Sequence, residues 1–155
     1  MSWSMESTHE AAVAAPDVFR CYADPTTWGQ WAHNTTWGHG PVPLETGSVV
    51  RVRVSSMPWT YTVRVRALDA GRLIVTEVRP FGVVITSTYE VTPTPTGSRI
   101  HHIISLAGPL EVLYKGVRGQ YSRMLVEETR RVAELAAGGP PLSDAGPARQ
   151  TAARA

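Results

Sequence analysis

Four polar side chains interrupt an otherwise aliphatic alternation, and their types are those that could do chemistry. Tyr61 stands between Trp59 and Val63, Glu77 follows Leu73 and Val75, Tyr89 lies between Ser87 and Val91 in a run begun at Ile85, and His102 lies between Ile100 and Ile104. In a strand, residues two apart share a face, so each polar group is carried onto the face of its apolar neighbours. A buried polar group costs free energy unless it finds a hydrogen-bonding partner, and a ligand or a water can be that partner. Histidine, carboxylate and phenol groups on one inner face are the ingredients of general acid/base work, which makes His102, Glu77 and Tyr89 candidate catalytic groups. Structural alternatives stand beside this reading: a satisfied core histidine, a Glu77 paired with Arg79 or Arg64 at a strand end, and tyrosines that only wall a cavity.

The elements that must position these residues follow from a change of period along the chain. Residues 3–14 alternate loosely and stop at Ala15-Pro16-Asp17, after which Val18, Phe19 and Tyr22 recur at helical spacing until Asp24-Pro25. A second short helix, Thr26 to Ala32, puts Trp28 and Trp31 on one face as a lid or seal. A Gly/Pro-rich turn zone spans Gly38 to Gly47. Then Val50, Val52 and Val54 alternate with Arg51, Arg53 and Ser55, and Trp59, Tyr61, Val63 and Val65 continue the pattern. Further strands are expected over 72–79, 83–92 and 99–106, with Leu73, Val75 and Glu77 on the inner face of the first. After Gly108-Pro109 the period becomes helical, and apolar residues trace one face of a helix about 28 residues long from Leu110 to Ala137. Tyr114, Tyr121 and Met124 on that face are expected to line a cavity floor, whereas Glu127, Glu128, Arg130 and Arg131 read as a mostly solvated face. Ligand access is expected near Trp28–His39 and the turn before Gly108, with Trp31 at the mouth.

Composition bounds the function. The 155 residues are 43% hydrophobic and 18% charged with one cysteine, which suits a single compact domain, residues 1–138, with a disordered tail over 139–155 rich in Ala, Gly and Pro. Cys21 has no partner for an internal disulfide. The start MSWSMESTHEAAV has neither a basic nor an apolar leader region, and no apolar run is long enough to span a bilayer, so the expected location is cytoplasmic with no membrane association. All but one of the 15 basic residues are arginine, spread along strands and the last helix rather than gathered with stacking aromatics, so nucleic acid is not an expected partner. No phosphate loop, nucleophile elbow or Cys-x-x-Cys pair occurs, and His101 and His102 point to opposite strand faces, so neither metal nor cofactor is implied.

The segment VAAPDVFRCYADPTTWGQWA resembles the N-terminal signature of the START/Bet v 1-like superfamily, often called SRPBCC, and GSRIHHIISLAGPLEVLY is similar to its last strand and the start of its final helix. The resemblance covers about residues 5–137 and is nearest to bacterial polyketide cyclase/dehydrase-like proteins. It implies an α+β helix-grip fold: a curved antiparallel sheet of about seven strands around a long C-terminal helix, with two short helices after the first strand. In that order the first strand lies beside the last, so His9 would reach inward with His102. The implied function is a cofactor-independent cyclase, aromatase or dehydratase of antibiotic or other secondary metabolism, working as a monomer or homodimer on a hydrophobic or aromatic small molecule. Trp31, Trp59, Tyr61, Ser87, Tyr114, Tyr121, Met124 and His9 are the expected ligand-binding residues. A non-catalytic carrier using the same cavity is the alternative.

Overall fold

The computed structural model describes residues 2–138, and the expected tail over 139–155 lies outside the described residues. The chain runs β1 (Ser2–Ala11), α1 (Ala15–Ala23), a single 3-10 turn (Pro25–Thr27), α2 (Trp28–Trp31), β2 (Thr35–His39), β3 (Val49–Val54), β4 (Thr60–Asp69), β5 (Leu73–Val78), β6 (Val84–Thr94), β7 (Gly97–Ala107), a 3-10 segment (Glu111–Val117) and α3 (Arg118–Ala136). The seven strands form one antiparallel sheet in the order β1-β7-β6-β5-β4-β3-β2. Consecutive strands are adjacent from β2 to β7, and the one long-range pairing brings β1 back beside β7. This is the helix-grip arrangement, with the sheet curved around α3.

Period-2 alternation accounts for the sheet. On β3, Val50 and Val52 are buried while Arg51 and Arg53 face water. On β7, Ile100, His102, Ile104 and Leu106 all point inward. In the β1–β7 ladder Met5 stands opposite Ile104, Ser7 opposite His102 and His9 opposite Ile100, so the inner face continues across both strands. Helix α3 packs on that face through Leu125, which meets Met5, Ile104 and Leu106, and through Val132 and Ala133, which join the cluster of Val18, Phe19 and Tyr22 from α1.

Three details differ from the sequence reading. Thr35–His39, inside a stretch read as loop and turn, is an edge strand paired with β3. The C-terminal helical course begins with seven residues of 3-10 helix, a stretch in which Val112 and Leu113 remain exposed and Gly116 has low helix propensity, so little packing or propensity favours α geometry there. Strand β5 has the opposite phase to the one expected: Ile74 and Thr76 are buried, and Glu77 is turned to the outer face.

Candidate functional site

Between the sheet, α2 and α3 lies a cavity of about 400 Å³. Its apolar wall includes Val52 and Val63 from the sheet's β3 and β4, Ile85 and Ile104 from β6 and β7, and Met124 from α3. Polar groups converge at one end. His102 is 1% exposed on β7 and neither of its ring nitrogens has a hydrogen-bond partner. The Glu128 carboxylate of α3, itself buried, places Oε2 3.3 Å from His102 Nδ1, close enough to interact but outside hydrogen-bond alignment. Its other oxygen, Oε1, accepts the His33 backbone N–H at 2.7 Å, which ties the segment after α2 to α3. Tyr89 stacks on the His102 ring at a centroid distance of 4.2 Å. Tyr22 and Trp31 pack on Tyr89 in turn, at 4.7 and 5.7 Å.

Burial sets the protonation of this group. Desolvation pushes His102 down to about 3, with the neighbouring His101 acting in the same direction, so the imidazole is neutral near pH 7. Desolvation also pushes Glu128 up to about 7, against the lowering effect of the His33 N–H and of Arg131. Tyr89 is held well above the usual tyrosine range, chiefly by burial and then by the Glu128 charge. The site therefore combines a carboxyl that titrates near neutrality with a neutral imidazole that has one donor and one acceptor nitrogen free.

The residues singled out by sequence fall into two groups. His102, Tyr89, Tyr61, Ser87, Trp31, Tyr114, Tyr121 and Met124 all line the cavity. Glu77 does not: it lies across the sheet, where its carboxylate pairs with Arg79 at 2.7 Å and Arg66 at 3.8 Å, and this corrects its assignment as a catalytic group. Trp59 is 44% exposed and stands outside the cavity lining, edge-on to Phe81, a lining residue, at 5.8 Å. His9 shares the inner face of β1 but lies away from the cavity, opposite Ile100. Trp31 is 2% exposed, so it belongs to the core as much as to the cavity wall. Of the access segments, Trp28 and residues 31–35 line the cavity, joined by Ser56, Met57, Pro80 and Phe81 from the β3–β4 and β5–β6 turns; Trp37 to His39 belong to β2 instead. Glu128 was missed. Its signal is an inward position in a helical stripe: Tyr121, Met124, Leu125, Glu128 and Val132 follow helical spacing, and one of them is a carboxylate.

Among the described residues no three His, Cys, Asp or Glu side chains gather as a metal site, and no helix is long and apolar enough to cross a membrane. A family model described as polyketide cyclase / dehydrase and lipid transport matches residues 2–136. No curated protein matches the chain. Among solved structures, truncated norcoclaurine synthase from Thalictrum flavum is 16% identical with a TM-score of 0.67, over 87% of this chain and 93% of that one. The di-domain ARO/CYC StfQ from the steffimycin biosynthetic pathway is 16% identical with a TM-score of 0.68, over 89% of this chain and 52% of that one, so this chain spans about half its length. Ara h 8.0201 is 10% identical with a TM-score of 0.64, over 90% of this chain and all of that one. At these identities the structural likenesses establish the fold.

Proposed function

This chain belongs to the polyketide cyclase / dehydrase and lipid transport family, and from that premise we propose that it binds a hydrophobic, aromatic or poly-carbonyl small molecule and promotes its cyclisation in cytoplasmic secondary metabolism, within a single domain of residues 1–138. The observation that carries this reading is the pairing of Glu128 with His102, a buried imidazole that lacks hydrogen-bond partners, at the end of an apolar cavity. A buried polar group left unpaired is costly in a purely structural role, and a substrate carbonyl or hydroxyl supplies the missing partner.

The chemistry follows from the protonation states. A carbon between two carbonyls is acidic enough to lose a proton to Glu128, whose affinity for a proton is matched to neutral pH. The resulting carbanion adds to a second carbonyl of the same folded chain, and the new C–C bond leaves an alkoxide that accepts a hydrogen bond from the neutral His102 N–H and then the proton from Glu128. Where dehydration follows, a further C–H proton and the hydroxide leave together as water. The cavity walls contribute by holding a flexible chain in the reactive fold.

Purified protein mixed with a linear poly-β-ketone mimic is expected to change the distribution of cyclic products, and His102→Ala or Glu128→Gln to slow that change with melting measured on the same samples. Binding of the mimic with products identical to the uncatalysed mixture would overturn the catalytic reading in favour of a carrier.

A further inference from the structure

On the opposite side of the sheet from the His102 cavity, β4 and β5 form a second recess of about 450 Å³ into which Arg64, Arg66 and Arg79 contribute. Glu77 is the one carboxylate there: it accepts a hydrogen bond from Arg79 Nε at 2.7 Å and stands 3.8 Å from Arg66 Nε. Arg64, in register with Glu77, is exposed and has no ion pair among the described residues. Three guanidinium charges against one carboxylate leave the recess with an excess of two positive charges. The recess also adjoins the cavity. Tyr61 and Val78 contribute to the walls of both. Arg79 is followed directly by Pro80 and Phe81, which line the cavity.

We propose that this recess is a phosphate-binding site that holds the anionic end of an amphiphilic ligand whose apolar body occupies the cavity. The proposal rests on the reading of the cavity as a ligand site and adds to it the chemical class of the ligand. Guanidinium forks suit phosphoryl oxygens through paired, charge-assisted hydrogen bonds, and the excess charge matches a phosphate monoester dianion. Glu77 becomes a positioning residue: by holding Arg79 through Nε it leaves that side chain's terminal nitrogens free to face the anion, with Arg66 drawn alongside by the same carboxylate.

The test uses the full chain at low ionic strength and two probes, a naphthyl-hexanol and its phosphate monoester. The ester is expected to bind about tenfold more tightly than the alcohol, and an Arg64→Gln/Arg79→Gln variant to lose that gain while its affinity for the alcohol is unchanged. Equal affinity of the two probes for the wild type, or a gain that survives in the variant, overturns the proposal and marks these arginines as a solvated strand face. Failure of the alcohol itself to bind counts against the cavity reading instead. Inorganic phosphate alone then decides the recess: backbone amide shifts confined to residues 62–66 and 77–79, absent in the variant, support it, and their absence in the wild type overturns it.

Discussion

At the scale of single residues the determining pair is His102 with Glu128, and its titration gives a test independent of any ligand. In the folded protein Glu128 keeps its proton up to about pH 7, against an ordinary value of 4.5, and His102 stays neutral down to about pH 3, against 6.5. A raised carboxyl pKa contributes stability that is present below 4.5 and lost as pH rises through 7. A depressed histidine pKa contributes stability that is present above 6.5 and lost as pH falls through 3. Between 4.5 and 6.5 the two slopes cancel, because the folded pair holds one proton on Glu128 and the unfolded pair holds one on histidine. Glu128→Gln removes the first contribution and leaves the second. Its stability relative to wild type is therefore expected to rise with pH by about 1.4 kcal/mol per unit across that window. Urea unfolding of both proteins at half-unit steps checks this, with exposed groups and His102 cancelling in the difference; a flat difference would show that Glu128 titrates like a solvated carboxylate. His102 was legible in sequence because isoleucines at 100 and 104 fix its side of the strand. Glu128 was hidden by its neighbours: Glu127, Arg130 and Arg131 make the segment look solvated, and the helical position alone distinguishes it.

At the scale of elements, alternation shows that a strand exists more securely than which way it faces. Strand β3 could be read because its two faces differ, valines against arginines. In β5 both phases are mostly apolar, Leu73 and Val75 on one side and Ile74 and Val78 on the other, so only the partner strands settle the orientation, and Glu77 was carried to the wrong face. Strand β2 offers TTWGH, whose glycine speaks for a turn; its reason is visible only in three dimensions. A Cβ on Gly29 of α2 would come within 2.4 Å of the Thr36 carbonyl oxygen, so that glycine is what lets β2 lie against α2 and deliver the backbone of His33 to Glu128. Gly119, in the first turn of α3, has nothing within 4 Å of an added Cβ. The two glycines therefore have opposite expected outcomes. Gly119→Ala is expected to stabilise by about 0.5–1 kcal/mol through helix propensity and reduced freedom of the unfolded chain, and Gly29→Ala to destabilise by more than that. Thermal melts of the two variants read the signs directly, and a stable Gly29→Ala protein would remove the close-approach argument.

At the scale of the whole molecule, the order of elements was legible and the void was not. Apolar periodicity reports which residues leave water, and it is silent on whether they meet other side chains or an empty space. The grip is closed at one end, where Leu125 packs into Met5, Ile104 and Leu106, and at the other, where Val132 and Ala133 pack into α1. Between them the cavity separates α3 from β3 and β4. Two valines on β4 experience this difference. Val63 lines the cavity, whereas Val65 is 1% exposed within the packed core and outside the cavity lining. Enlarging a side chain in a filled core forces neighbours off their rotamers and costs about 1–3 kcal/mol. Val65→Phe is expected to lose that much. Val63→Phe has room to extend into the void, so its stability is expected to stay within about 1 kcal/mol of wild type, the gain from added apolar contact offsetting local adjustment. The same phenyl ring takes space an aromatic ligand needs, and affinity for a naphthyl probe is expected to fall about tenfold or more, a loss of at least about 1.4 kcal/mol. Melting and probe titration on the same samples separate the two effects. Equal destabilisation by both substitutions would mean that the space between α3 and β4 closes in solution, and the cavity could then serve neither as template nor as carrier.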